Sequence, residues 1–569
     1  MWIVERMARY SAERAALAEL ESNESWLEKV VWRFEGGSVA VDADLIVGGD
    51  RRTVTLTYPN IFPSAPPTVK PRGDATRWSP HQYGAGGELC LQHRPDNWEE
   101  SITGADMVRS AWTLLATEGG AANIGGEPMR VPSDHKLSLG QALRSETWRL
   151  VLTASLKYKL ASCAAPTPIR LRFEFVGTTL IAFVAQVDDA ADTIWLDPEL
   201  PGPMHKDHTH GGFATALSLE DGRWDKFDEA VSNGASALRA LVVDDGSFEK
   251  SETLIFSTPG GVRAFYVAPG ADSVSEYALV LPDPAVRSAE KNATLASKKV
   301  AVVGAGSIGS KVAVSLARAG VSDFLLVDDD VLTPENMVRH DLDWRSVSAH
   351  KVDALSERLQ LIRPRMVVKV RRQRLGGQES SSSLDGVLTA ISQCDLIVDA
   401  TGSADGFNYC GNVARAHKKP MAWGSVFAGG YGGLIARSRP GLDPAPLDAR
   451  ASIERWCANP DFPAAPKAAT NYGGVREDGV AMVADDADVG VIAAQLARLA
   501  LDTLTNSAVS DFEQSAYMIG MRKEWIFQAA FDTWPVELGG PLPEAEPSLS
   551  GMEREAAVAS IMAMLEKTT

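Results

Sequence analysis

The stretch SPHQYGAGGELCLQHRPDNW, residues 79–98, sets one thiol where chemistry is conceivable. Cys90 follows a glycine-rich turn, with His81 nine residues before it and Trp98 eight after. Free cysteine is among the most buried residue types, so a core thiol is the competing reading. Against it, Cys90 stands between GAGGEL and QHRPDN and not inside an apolar run. A thiol with a pKa of about 8.5 is only slightly ionised at neutral pH, but its thiolate is a strong nucleophile. The flanks favour a nucleophile over a core thiol.

A second constellation begins at KKVAVVGAGSIGSKVAVSLARAG, residues 298–320, where Gly304, Gly306 and Gly309 form a G-x-G-x-x-G turn. Such glycines let backbone approach a phosphate at a helix N-terminus. Alone, the pattern equally suits a dinucleotide oxidoreductase, and Asp328 at the end of the next strand is placed to accept from a ribose hydroxyl in either case. The discrimination comes from DDDVLTPENMVRHDLDWRSVSAHKVDA, which adds Asp330, Asn336, Arg339 and Lys351. Hydride transfer has no need of two extra cations here, whereas a triphosphate losing pyrophosphate does. ATP is therefore the expected cofactor, with Asp399, at the end of CDLIVDATG, the expected ligand of its Mg²⁺.

The remaining thiols are Cys163, Cys394, Cys410 and Cys457, and no two cysteines form a C-x-x-C pair, which argues against a zinc site or disulfide scaffold. Cys394 and Cys410, on a buried strand and a helix, read as structural. Cys457 lies in the long segment RASIERWCANPDFPAAPKAATNYGG between a strand and the helix DVGVIAAQLARLALDTL; long segments of this kind are often functional. In HKDHTH, His205, His208 and His210 stand together without a nearby cysteine or paired carboxylates, so a solvated loop is preferred to a metal site.

These residues need elements to hold them. Residues 1–30 read as an amphipathic helix through Leu17, Leu20 and Leu27, followed by alternating strands in WRFEGGSVAVDADLIVGG and RRTVTLTYPN. The proline-dense YPNIFPSAPPTVKP excludes helix and central strand, and SITGADMVRSAWTLL resumes helical spacing. The runs PIRLRFEFV, TLIAFVAQV, ETLIFST and VRAFYVA predict strands of an α+β region in which no catalytic spacing is found. From Ser297 the order strand, glycine turn, helix, strand is a βαβ unit and implies a parallel sheet. GQESSSSLDG, residues 377–386, reads as a flexible loop, and Val558, Ile561, Met562 and Leu565 form a stripe on a C-terminal helix that is expected to pack on another domain or protomer.

At 569 residues several domains are expected, with boundaries at 1–134, 135–292, 293–545 and 546–569. The charge balance, 56 Lys+Arg against 74 Asp+Glu for a net −18, argues against a general nucleic-acid binder, so no DNA partner is expected. No run of eighteen apolar residues and no secretory h-region occurs, so the expectation is a cytoplasmic protein with no membrane role.

The chain from about 295 to 440, and more loosely to 540, resembles the ThiF/MoeB and ubiquitin-activating superfamily. The resemblance rests on the glycine turn, Asp328, Asn336, Arg339, Lys351 and Asp399 occurring in one order. It implies that Asp328 holds ribose, that Asn336, Arg339 and Lys351 hold phosphates, that Asp399 holds Mg²⁺, and that ATP adenylates a protein's C-terminal carboxylate within a homodimer. It also implies a thioester cysteine in a crossover segment, which here would be Cys457. Residues 20–120 resemble the ubiquitin-conjugating fold through Tyr58-Pro59, Pro66-Pro67, Cys90 and Trp98. Where that family has H-P-N, this chain has Pro80-His81-Gln82, so either Gln82 or His81 would serve the oxyanion or the proton. The fold class implied is α/β multidomain: a ubiquitin-conjugating-like α+β fold, a middle α+β domain and a Rossmann-like adenylation domain. A conjugating half followed by an activating half resembles the fused enzymes of bacterial antiviral operons of the CBASS type. Their substrate is a protein with a flexible C-terminus, a cyclic-nucleotide synthase or in related operons a ubiquitin-like protein, ligated to target proteins. Two alternatives remain open: sulfur-carrier adenylation for cofactor synthesis, and a nucleotide-binding scaffold with a non-catalytic N-terminal fold.

Overall fold

The computed structural model describes all residues except 74–76, 80, 85, 119–137, 189–192, 209, 243–252, 269–271, 282–289, 378, 465–482, 506–509, 543–550 and 566–569. The linker expected at 120–134 and Pro80 lie outside the described residues. The chain divides into two compact units, Met1–Glu146 and Thr147–Thr569.

In the first unit a helix, Met7–Asn23, precedes an antiparallel meander of Leu27–Glu35, Ser38–Val47, Asp50–Tyr58 and Thr68–Pro71, and a second helix, Gly104–Glu118, follows it. The first helix ends at Asn23 and not near 30, so Leu17 and Leu20 are buried helix positions while Leu27 opens a strand. Thr68–Pro71, the strand with the proline, takes the sheet edge, where a missing N–H does no harm. Buried Glu13 ties the parts together: its Oε2 accepts from Tyr58 Oη at 2.7 Å and from Gly104 N at 2.7 Å. Gly104 is required there, since a Cβ would lie 2.0 Å from Tyr58 Oη.

The second unit contains two sheets. The first has the order Val274–Glu276, Gly261–Val267, Thr253–Thr258, His210–Ala216, Thr167–Val176, Thr179–Asp188, Trp148–Val151 and Ala278–Val280, with Ile194–Trp195 paired to Thr179–Asp188. All four strand runs expected between 135 and 290 are present in it.

The second sheet carries the glycine turn. Val367–Arg371, Asp323–Val327, Lys299–Val303, Leu396–Asp399 and Met421–Val426 run parallel, and Gly432–Ser438, Ala516–Gly520 and Thr533–Pro535 continue antiparallel. Along Lys299–Val303, Val300 and Val302 enter one hydrophobic cluster with the helices Ser307–Ala319, Lys351–Gln360 and Asp486–Thr505. Ala301 and Val303 enter another with Ser381–Ser392, Ala404–Ala416 and Pro446–Cys457. A strand with both faces buried reads as a continuous apolar run, as KVAVV does. The segment read as a loop at 377–386 is helical from Ser381, capped by Ser380 Oγ, which accepts from Ser383 N at 3.3 Å. Serine favours this cap position, and the apolar Leu384, Val387, Leu388 and Ile391 supply the packing face that serine composition masks.

The C-terminal helix, Gly551–Leu565, leaves Val558, Ile561 and Met562 more than half exposed, so the expected packing of this stripe is not made among the described residues. No helix among the described residues is long and apolar enough to cross a membrane.

Candidate functional site

Strand order reverses direction around Lys299–Val303, whose neighbours are Asp323–Val327 on one side and Leu396–Asp399 on the other. Open α/β sheets bind ligands at the carboxyl edge of such a switch point. A cavity of about 720 Å³ lies there, lined by Gly304, Gly306, Asp328, Asp330, Asn336, Arg339 and Lys351. Its size suits a nucleotide.

The three glycines have separate jobs. Gly304, at φ +88°, needs the left-handed region, and a Cβ would meet the Ala400 carbonyl at 2.7 Å. Gly306 has no atom within 4 Å of an added Cβ, which would instead project into open space at the helix N-terminus. Gly309 does not line the cavity; a Cβ on it would sit 1.8 Å from Gly304 O, so its role is to seat the helix on the turn.

Ala305, between the glycines, is held at both backbone polar groups. Its N–H donates to Asp328 Oδ2 at 2.7 Å, and its carbonyl accepts from His340 Nε2 at 2.7 Å. His340 Nδ1 accepts from Leu342 N at 3.2 Å, which assigns the ring proton to Nε2. Burial, assisted by the Lys351 ammonium, pushes the His340 pKa down, so the ring is held neutral. Burial pushes the Asp328 carboxyl up, opposed by the N–H groups of Asp330 and Ala305. Lys351 is 8% exposed and its Nζ pairs with Asp330 Oδ2 at 2.8 Å. Asn336 Oδ1 accepts from Thr333 N at 3.1 Å, which fixes the short helix Pro334–Val338 that brings Asn336 and Arg339 to the cavity.

Asp399 departs from expectation. It closes the strand beside Val303 and does not line the cavity. Its Oδ1 accepts from Thr401 Oγ1 at 2.7 Å and Thr401 N at 3.1 Å, and burial raises its pKa. The carboxylate expected to hold Mg²⁺ is thus tied through Oδ1 to the loop that floors the cavity. Among the described residues, the one group of three potential metal ligands is Asp328, Asp329 and Asp330, whose donor atoms lie within 4.8 Å of one another. Residues that sequence reasoning missed also line the cavity, including His340, Gln373 and Arg374. Gln373 and Arg374 follow the strand Val367–Arg371, so the same strand-end rule that found Asp328 applies to them.

In the first unit, Cys90 follows a two-rung hairpin in which Gln82 pairs with Leu89 and Tyr83 with Glu88. Cys90 N donates to His81 O at 2.8 Å, which extends the ladder and sets His81 opposite Cys90. The GAGG turn has Gly84 and Gly87 at φ +69° and +70°, where a side chain would be strained, and the Glu88 carboxylate lies against Gly84 and Gly86. Cys90 is partly exposed. Burial raises its pKa and the Arg94 guanidinium opposes that rise.

Gln82 also departs from expectation. It is 1% exposed, its Oε1 accepts from Trp78 N at 2.5 Å and Ser79 N at 3.0 Å, and its Nε2 donates to Gly87 O at 2.8 Å. Both ends of its amide shape the loop, and by the ladder's alternation its side chain leaves on the face opposite Cys90. His81, on the Cys90 face, is the remaining candidate of the two.

Cys394 and Cys410 are buried, and the Cys394 thiol is pushed up to about 11 by burial. Cys457 ends the helix Pro446–Cys457, half buried beside Trp456 and Phe462, with its pKa raised by burial and by Glu454. A helix C-terminus disfavours a thiolate; much of the crossover segment beyond it, 465–482, lies outside the described residues. The three histidines of HKDHTH do not converge. His205 Nδ1 bonds Ala185 O at 2.9 Å, His208 Nδ1 bonds His205 O at 3.2 Å, and His210 stacks on Phe173.

Residues 283–513 match the model of the ThiF family. The chain is 26% identical over 484 residues to the uncharacterized protein y4qC of Sinorhizobium fredii, covering 75% of this chain and 78% of that one. It is 31% identical over 144 residues to the ATP-dependent ubiquitin transferase-like protein Cap2 of Pseudomonas aeruginosa, covering 24% of each chain. A crystal structure of E. coli MccB with ATP is similar at 15% identity and a TM-score of 0.34, covering 45% of this chain and 68% of that one. The chain thus spans most of y4qC but only about a quarter of Cap2.

Proposed function

We propose that the ThiF family domain at residues 283–513 adenylates the C-terminal carboxylate of a protein, and that the same chain carries the acyl group through cysteine thioesters to an amine on a target protein. The observation that carries the first step is the switch-point cavity, where Asn336, Arg339 and Lys351 meet at the glycine turn. A carboxylate oxygen attacks the α-phosphorus of ATP, the bond to the β-phosphate oxygen breaks, and pyrophosphate leaves. Arg339 and Lys351 supply the positive charge that this leaving group requires, with backbone amides of the turn on the phosphates. Mg²⁺ supplies Lewis-acid neutralisation of the phosphates when bound, and the carboxylates at the cavity able to hold it are Asp329 and Asp330.

A thiol then attacks the acyl adenylate, AMP leaves, and a thioester forms. Cys457 is the first carrier in this reading and Cys90 the second, reached by thioester exchange that returns the Cys457 thiol. Carrying both thiols on one chain replaces a bimolecular encounter by an effective concentration in the ~millimolar range for a short linker. At Cys90 the amine of a target attacks, with His81 opposite it on the ladder to take up the proton. The N-terminal order of helix, four-stranded meander, cysteine hairpin and helix supports a ubiquitin-conjugating role. The similarity to an ATP-dependent ubiquitin transferase-like protein supports transfer of this kind; in this reading the substrate is a cyclic-nucleotide synthase or ubiquitin-like protein and the enzyme a cytoplasmic homodimer of antiviral defence.

The test is ATP–pyrophosphate exchange with a cognate polypeptide, followed by gel analysis of the chain without reductant. Exchange and an adduct on Cys90 that dithiothreitol removes are expected, with the adduct lost in Cys90→Ala and also in Cys457→Ala. A C-terminal thiocarboxylate on the polypeptide, formed equally well by Cys90→Ala, would replace this reading with sulfur-carrier activation. Neither exchange nor adduct would leave a nucleotide-binding scaffold.

A further inference from the structure

Glu118 ends the helix Gly104–Glu118, and both of its carboxylate oxygens are buried without a hydrogen-bond partner among the described residues. The placement is unfavourable, because a desolvated carboxylate lacks compensation. One group addresses it: His81 Nε2 stands 3.5 Å from Glu118 Oε1, with each side chain only 13% exposed.

His81 is itself fixed by its backbone. Its N–H donates to Ser79 Oγ at 2.8 Å, and its carbonyl accepts from Cys90 N at 2.8 Å. That hydrogen bond lies next to the Gln82–Leu89 rung, and the alternation of an antiparallel ladder then puts the His81 and Cys90 side chains on the face opposite those two residues. Tyr83 and Glu88 occupy the next rung on the same face, and Arg94 approaches the thiol.

We propose that Glu118 is a positioning residue that orients His81 toward Cys90, giving the hairpin a Cys–His–Glu arrangement. Glu118 draws the ring proton to Nε2 and leaves Nδ1 as the acceptor, the role a carboxylate commonly plays for an imidazole base. In transfer from a Cys90 thioester, an amine nitrogen bonds to the carbonyl carbon and the C–S bond breaks with its electron pair on sulfur. The amine proton passes to His81 Nδ1 and then to solvent or the thiolate. This rests on the reading in which Cys90 carries the acyl group, but the pairing itself does not.

The experiment therefore reads the thiol first and the transfer second, on the full chain. Iodoacetamide alkylation of Cys90 is followed by peptide mass spectrometry from pH 6 to 9 in wild type, Glu118→Gln, Glu118→Asp, His81→Ala and Glu118→Gln/His81→Ala. We expect Glu118→Gln and His81→Ala to displace the pH–rate profile alike, the double variant to add nothing, and Glu118→Asp to restore part of it. Discharge of a preformed Cys90 adduct to free lysine should fall at least about tenfold in Glu118→Gln. An unchanged profile in Glu118→Gln overturns the proposal, as does a lowered unfolding midpoint with unchanged alkylation, which would make Glu118 a packing residue. A displaced profile in a protein that never forms the adduct would leave the pairing standing and remove the acyl-carrier reading instead.

Discussion

The nucleotide turn and the thiol hairpin are both glycine-rich loops held by buried polar side chains, but the holders stand in different relations to the chemistry. At the turn, Asp328 and His340 grip Ala305 and also line the cavity. At the hairpin, Gln82 grips Trp78, Ser79 and Gly87 from the face away from Cys90. The first loop is held by residues that would touch the ligand, and the second is held from behind. Asp399 belongs with Gln82 in this respect, since it supports the Ala400–Thr401 floor and stays out of the cavity. Local hydrogen bonds do not separate the two kinds of holder, since Asp328 is bonded at both carboxylate oxygens; what separates them is whether the side chain also lines the cavity.

The largest effect that follows is a contrast at the cavity. Lys351→Ala should lower ATP–pyrophosphate exchange by about 10²–10³, the scale for removing a charge-stabilising group from a transition state. Asp399→Asn, which keeps an oxygen to accept from Thr401, should lower exchange less than about tenfold and leave its Mg²⁺ dependence unmoved. A large loss in Asp399→Asn with a raised Mg²⁺ requirement would restore that residue to the metal and break the distinction between holders and contacts.

At the hairpin the expected effect is on stability. Gln82→Ala leaves the Trp78 and Ser79 N–H groups and the Gly87 carbonyl without their partner, at a cost of roughly 2–4 kcal/mol. Urea unfolding followed through the first unit's tryptophans should register that loss, while ATP–pyrophosphate exchange stays within about twofold of wild type. Preserved stability in Gln82→Ala, together with a lost transfer from Cys90, would make Gln82 the oxyanion donor after all.

What could be read from the sequence divides along the same line. The parallel sheet, the glycine turn and the cluster Asp330, Asn336, Arg339 and Lys351 were visible because local periodicity and strand-end position are short-range properties. The partial exposure of Cys90 was visible because its flanks are polar. Glu118 was not: it sits 37 residues from His81 at the end of a helix chosen for its apolar spacing, and only tertiary packing joins the two. The surroundings of Gln82 and Asp399 were not visible because composition does not say which face of a rung a side chain takes, or which neighbour, such as Thr401, bonds it. The helix at Ser381 was hidden because serine serves equally well as a loop residue and as a cap.

The smallest expected effect sharpens the comparison through pH. His340 has a folded pKa below its ordinary value, so the folded protein binds fewer protons than the unfolded chain around and below pH ~6.5. Its contribution is fully present above that value and is lost as pH falls, because charging the ring costs the Leu342 N–H bond to Nδ1 and places a cation beside Lys351. Asp328 and Asp399 have the opposite sign: their carboxyls are raised by burial, so the fold gains relative stability as pH falls through their folded values. The two slopes oppose each other in mildly acidic solution, and a wild-type curve alone would not separate them. The difference between wild type and His340→Gln isolates the first. From pH 7.5 to 5.5 the second unit's unfolding free energy should fall more in wild type than in the variant, by at most about 1.4 kcal/mol. Parallel curves would mean that His340 does not hold Ala305 through a neutral ring, and the turn would then depend on Asp328 alone.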